Sequence, residues 1–210
     1  MRKHDHGFIT SVIANDDAPS QGLTWILYTA LTIPMAGIQL YSGNITQLSV
    51  DAIVNAANEL LIGGGGVDGA IHDAAGSELV TASQKLAPCP AGNARLTPGF
   101  NLNANFVVHA VGPVFRDGTR GEFDTLTNTY RAALHIADEN DFKSIAFPCI
   151  STGAFCFPQD RACEIAIQTS IDWLNSHNHP KTIIFCCFEP SDTLLYTERL
   201  SELGIFRGYA

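Results

Sequence analysis

VNAANELLIGGGGVDGAIH, running from Val54 to His72, opens as a short apolar strand, breaks into four glycines and resumes with helical spacing. ISTGAFCFP, Ile150 to Pro158, repeats that build: an apolar run, a Ser/Thr/Gly loop, then a helical segment. Loops without bulky side chains let backbone N–H groups converge on phosphate oxygens, and a following helix adds the positive end of its dipole. Two such cradles in one small chain predict a ligand with a pyrophosphate.

Composition narrows the ligand further. The 210 residues are enough for one domain with a full core, and 46% hydrophobic content fits a globular fold. The formal net charge of −9 argues against general nucleic-acid binding, which needs Lys/Arg surfaces to displace counterions. Backbone amides bind an anion without any basic side chain, so a small anionic ligand stays open. The six cysteines show no CxxC spacing. They read as buried free thiols suited to a reducing cytosol, and no metal or other cofactor is expected.

Residues 1–36 read as an N-terminal extension. Leu23 to Ile33 is an apolar stretch of too few residues to span a bilayer, and it reads as a helix or strand packed on the domain. Met35 is an alternative natural start. No membrane association is expected, and the protein is placed in the cytoplasm.

From Ile38 apolar runs alternate with amphipathic ones, the signature of an α/β sheet covered on both faces. Strands are predicted at Ile38–Tyr41, Ala52–Val54, Phe106–Val111, Ser144–Pro148 and Thr182–Phe188, with a short edge strand at Ala94–Thr97. Helical faces run through Val67, Ala70, Ile71 and Ala74 up to a stop at Gly76, through Phe123 to Ala137, and through Ala162 to Trp173. Asp192 is read as the cap of a last helix.

The glycine loop does not fit the familiar nucleotide motifs. Gly64, Gly66 and Gly69 satisfy G-x-G-x-x-G, yet the glycines begin well after Val54, and no acidic residue ends a following strand at the required distance. No GK[ST] follows either, so a Walker A loop is excluded. The amides of Gly65, Gly66 and Val67 are placed to face one concavity. Asp68 enters in the first turn of the helix, and Asn58 lies on the loop that closes over the same space. Of Asn55 and Asn58, one is expected to bond its own loop backbone.

With these residues in view, the chain resembles a macrodomain. GNIT at Gly43–Thr46, VDAIVNAAN at Val50–Asn58, GGGGVDGAIHDAAG at Gly63–Gly76, VVHAVGP at Val107–Pro113 and FPCISTGAFCFP at Phe147–Pro158 stand in the family's order. The long glycine string is similar to the MacroD-type hydrolase branch. The resemblance covers Ile38 to Leu203 and assigns residues 37–210 to the macrodomain. It implies a three-layer αβα fold around a mixed six-stranded sheet, with ADP-ribose above the strand ends. Gly64, Gly65, Gly66 and Val67 would hold one side of the pyrophosphate, and Ser151, Thr152, Gly153, Ala154 and Phe155 the other, Phe155 also lying against the distal ribose. Asn58 and Asp68 match the catalytic pair, and Asn44 and Ile45 fall at the adenine end. The implied activity is hydrolysis of mono-ADP-ribose esters on acidic protein side chains and of O-acetyl-ADP-ribose, with ADP-ribosylated proteins as partners. The alternative is a reader module that binds ADP-ribose without cleaving it.

Two positions depart from the family pattern. Asn44 stands where the family has an aspartate that accepts from the adenine amino group; its amide oxygen is expected to take over that role more weakly. Cys156 replaces a glycine in the second loop, and a positive φ there would strain it by about 1 kcal/mol. Cys156 also invites a nucleophile reading with His72 or His109 nearby, against the simpler expectation that His72 packs under the glycine loop and His109 is a strand residue. Phe188 and Tyr196 are the nearby candidates for stacking on adenine.

Overall fold

Strand β1 (Ile38–Ser42) pairs in parallel with β6 (Thr182–Cys187), which begins the hydrogen-bonded order β1-β6-β5-β2-β4-β3. The computed structural model describes residues 37–205, so Leu23–Ile33 and the alternative start at Met35 lie outside the described residues. The remaining strands are β2 (Ala52–Ala56), β3 (Ala94–Pro98), β4 (Phe106–Ala110) and β5 (Ser144–Phe147). Every pairing is parallel except the antiparallel edge pair β3–β4, which makes the six-stranded sheet mixed.

Strand periodicity sorts the core into two layers. Val54, Val108, Ile145, Phe147, Ile183 and Phe185 face one side, against Leu126, Tyr130 and Leu134 of α3 (Glu122–Glu139), Cys163 and Ile167 of α4 (Gln159–Ser176), and Tyr196 and Leu200 of α5 (Pro190–Glu202). Their neighbours Ile53, Val107, Ala146 and Ile184 face the other, against Ile71 and Ala75 of α1 (Gly66–Ala75) and Leu79 of α2 (Ser77–Gln84). Cys186 and Cys187, adjacent in β6, bury in opposite layers as the pleat requires. Side chains covered on both faces explain why the strands read as nearly continuous apolar runs.

Three expectations need correction. Helix α2 was not expected: Gly76 ends α1, but with φ 88° it also serves as the N-cap of α2, so one residue turns the chain from helix to helix. Asp192 does not cap α5. Glu189 holds that position with Pro190 following, where a missing N–H costs nothing, and Asp192 turns inward to accept from Gln159 Nε2 at 3.1 Å. Not all thiols are buried, since Cys156 is exposed and Cys149 half-buried beyond the end of β5. Among the described residues, no helix is long and apolar enough to cross a membrane.

Candidate active site

The parallel strands end together, and the loops that leave their C-terminal ends enclose a cleft of about 760 Å³. Ligand crevices of α/β sheets form at this edge because the helices that follow diverge to opposite faces. Asn44, Ile45, Asn58, Gly64, Gly65, Gly66, Val67, Asp68, Ser151, Thr152, Gly153, Ala154 and Phe155 all line it. The geometry thus gathers in one concavity the catalytic pair and the ligand-binding residues that the resemblance implies, but not Cys156, His72, His109 or Tyr196.

The first wall is the glycine loop. Gly65 and Gly66 have open space where a side chain would project, and Gly66 takes a φ of 59° that an L side chain rarely adopts. Gly69 closes the other side of the turn, because a Cβ there would sit 2.6 Å from the Gly64 carbonyl. The third glycine of the motif therefore seats α1 against its own loop. Asn58 straps the segment together: its Nδ2 donates to the Gly63 carbonyl at 2.8 Å and its Oδ1 accepts from the Leu60 amide at 3.1 Å. One amide hydrogen and one lone pair remain for a ligand.

Asp68 stands in the first turn of α1, only 5% exposed. Its Oδ1 accepts from Asn55 Nδ2 at 2.7 Å and lies 3.4 Å from His72 Nε2, while Oδ2 points toward Gly64. Burial pushes the carboxyl above the ordinary aspartate range, and the Asn55 hydrogen bond and the His72 ring pull it partly back. His72 does pack under the glycine loop, with Gly63 built against its ring. Asn55 is the site residue that sequence reasoning missed. It was read as a loop asparagine, but it lies on β2, fully buried, and its amide serves the carboxylate.

The second wall, Ile150 to Phe157, folds back on itself through Phe157 N to Ser151 O and Cys156 N to Gly153 O, both 2.9 Å. Phe157 anchors it in the core against Phe115, ring centroids 5.0 Å apart. Ser151 and Cys156 both hold positive φ, 67° and 55°. The position occupied by cysteine is therefore one that favours glycine. Ser151 is buried with its hydroxyl unpartnered, and a Cβ on Gly112 would overlap it, so the second wall depends on a glycine at the end of β4. Cys156 is not among the cleft-lining residues, and its thiol turns to the Ala154 carbonyl at 3.6 Å, which removes the nucleophile reading.

At the far end, Asn44 caps a single 3-10 turn. Its Oδ1 accepts from the Thr46 amide at 3.0 Å and from Thr46 Oγ1 at 2.8 Å. A backbone N–H can only donate, so the oxygen must face inward and the amino group faces out. The expectation that the Asn44 oxygen accepts from the adenine amino group is corrected: both of its contacts go to Thr46, which leaves the amino group as the end of this side chain available to a ligand. Of the two aromatic candidates, Tyr196 is buried against Phe185, ring centroids 5.0 Å apart, whereas Phe188 lines the cleft and is 73% exposed. Glu189 and Asp192 complete this end, and no Lys or Arg lines the cleft among the described residues.

The layers and the cleft define a three-layer α/β domain with its ligand crevice at the C-terminal strand edge. The sequence matches the macro domain over residues 54–166, and the chain belongs to that family. It is 48% identical over 171 residues to an O-acetyl-ADP-ribose deacetylase of Escherichia fergusonii, covering 80% of this chain and 97% of the relative. It is 46% identical over 167 residues to the human ADP-ribose glycohydrolase MACROD2, covering 79% of this chain and 39% of that protein. A solved mutant of the Oceanobacillus iheyensis macrodomain with ADPR superposes with a TM-score of 0.79 at 36% identity, over 83% of this chain and 98% of the other.

Proposed function

We propose that this chain binds ADP-ribose and hydrolyses mono-ADP-ribose esters on acidic protein side chains, and that it also cleaves O-acetyl-ADP-ribose. The observation that carries this reading is Asp68, a buried carboxylate fixed by Asn55 and set beside the open amides of Gly64–Val67 in one cleft. The pyrophosphate would lie between that loop and Ser151–Phe155, the distal ribose against Phe155 and Asn58, and the adenine between Phe188 and the Asn44–Ile45 turn. Backbone donors suit the phosphates because their orientation is fixed before the ligand arrives.

In this pose Asp68 orients and helps to deprotonate a water beside the anomeric carbon, and Asn58 holds a ribose hydroxyl with its remaining donor and acceptor. The water adds to the ribose, the protein carboxylate departs, and free ADP-ribose remains. A phosphate oxygen shares the task of positioning the water, so Asp68 is not the sole base. The relatives named as deacetylase and glycohydrolase support the same chemistry. The free thiols suit a reducing compartment, which supports a cytoplasmic location.

The test is single-turnover removal of ADP-ribose from a protein modified on Asp/Glu, by the wild type and by Asp68→Ala. Loss of turnover in the variant is expected. Equal rates would take Asp68 out of the mechanism. Tight ADP-ribose binding without turnover by the wild type would leave a reader module, the reading that Asn44 and the Cys156 loop keep open and that Asn58 and Asp68 speak against.

A further inference from the structure

We infer that His109 is a positioning residue for Asp68, acting through the amide of Asn55; the inference rests on the catalytic reading of Asp68 given above. His109 is directly opposite Asn55 in the β2–β4 register and is fully buried. Its Nδ1 lies 3.3 Å from Asn55 Nδ2, and its Nε2 lies 2.9 Å from Thr97 Oγ1 on β3. Four buried polar side chains from four elements therefore form one line: Thr97, His109, Asn55, Asp68.

The protons along this line are fixed by elementary donor counting. Asp68 as a carboxylate only accepts, so the Asn55 group 2.7 Å from it must be the amino end. That amino group has two hydrogens. One goes to Asp68 and the other points at His109, so Nδ1 of His109 must be an acceptor and Nε2 must carry the proton donated to Thr97. Burial holds the ring neutral, which is the only state in which Nδ1 accepts. The Asn55 carbonyl oxygen is buried without a partner. An amide left with an orphan oxygen keeps its orientation only because both hydrogens are claimed. His109 claims the second one. Without it, nothing in the line prevents the amide from turning to satisfy its oxygen and leaving Asp68 unsupported.

The groups that face Asp68 are few. His72 on its own helix is the titratable neighbour, and Asn55 is the contact from β2. His72 also stands near His109, ring centroids 6.1 Å apart, while His109 reaches the carboxylate only through Asn55. A change at His109 is thus read out at Asp68 through one amide, and the pH profile of the chemical step reports it.

The experiment compares the wild type with His109→Leu, His109→Asn and Thr97→Val in single-turnover rate against pH, with ADP-ribose affinity measured in parallel. His109→Leu is expected to slow turnover about tenfold or more, because the released Asn55 amide no longer holds its hydrogen bond to the Asp68 carboxylate. Affinity should be unchanged, and the acid limb of the profile should move up by about one pH unit. His109→Asn sets an amide oxygen where Nδ1 stands and should restore the limb. Thr97→Val frees the ring to move its proton to Nδ1 and should shift the limb in the same direction. In an Asn55→Ala background, His109→Leu should add nothing, whereas a mere packing role would add its full effect.

An unmoved acid limb in His109→Leu, or an equal effect with and without Asn55, overturns the inference. Should His109→Leu fail to fold, an unmoved limb in Thr97→Val overturns it alone. Asp68→Asn separates the two levels. Wild-type turnover by that variant sinks the catalytic reading and this inference together, while a dead Asp68→Asn beside unaltered His109 variants sinks only the inference.

Discussion

Replacing Asn44 by aspartate changes one atom of the cleft and leaves its frame intact. The inward oxygen still caps Thr46 through the 3.0 Å and 2.8 Å bonds, so the turn that carries Ile45 is kept. The outward group changes from an amino donor to a carboxylate acceptor. An adenine amino group meets a donor in the wild type and a charged acceptor in the variant, and a hydrogen bond to a charged group contributes about 1.5–3 kcal/mol. Asn44 is half-buried, and Glu189 and Asp192 line the same end and oppose a further negative charge, so the low end of that range applies. The expected result is an ADP-ribose Kd about tenfold tighter in Asn44→Asp. The hypoxanthine analogue of ADP-ribose, whose 6-oxygen accepts from the wild-type amide, should bind the variant less tightly than the wild type. Calorimetry with both ligands on both proteins decides the matter. Affinities that do not change, or that move equally for the two bases, would refute the outward orientation of the Asn44 amide.

Other perturbations follow from the same geometry. Asp68→Asn preserves the shape of the site but not its base, so single turnover should fall by at least about a hundredfold while ADP-ribose affinity stays within a few-fold. Because burial raises the Asp68 carboxyl, the ionised form that the reaction needs is reached only above the ordinary aspartate pKa of about 3.9. Rate against pH should show its acid limb above that value. Cys156→Gly relieves a φ of 55° in an exposed side chain. It should gain about 1 kcal/mol, read as a rise in melting temperature of about 2–4 °C. His109 is lowered from 6.5 to about 3, chiefly by burial and secondarily by His72. Between those values the unfolded chain binds a proton that the fold refuses, so stability falls as pH drops through that window. Urea unfolding at pH 4.5 and 7.5 should show the wild type losing about 3 kcal/mol more than His109→Asn, and parallel losses would contradict the neutral ring.

The strands and both cradle loops were legible because their signals are local. Apolar runs such as Ile183–Cys187 report burial on both faces, and the Gly63–Gly66 loop reports an absent side chain whatever the fold around it. Helix α2 was missed because Gly76 gives the same signal whether a chain leaves a helix or bends into the next. The Asp68 support was missed for a different reason. Asn55, His109 and Thr97 are far apart in sequence, and only the register of β2, β4 and β3 brings them into line. Nothing in VNAAN distinguishes the inward asparagine from the outward one until the end of β2 is located. Tyr196 and Phe188 divided in the same way, since one falls inside α5 and the other just past β6.

The cleft's lining has one more consequence, for kinetics. A pyrophosphate entering it meets fixed amide dipoles at contact range but the carboxylates Asp68, Glu189 and Asp192 and a chain of net charge −9 on approach. Dipoles act only nearby, whereas like charges repel across a Debye length. Capture is therefore slowed at a distance and rewarded at contact. Added salt, which weakens anion capture by arginine- and lysine-lined sites, should here speed association and leave the departure of bound ligand almost untouched.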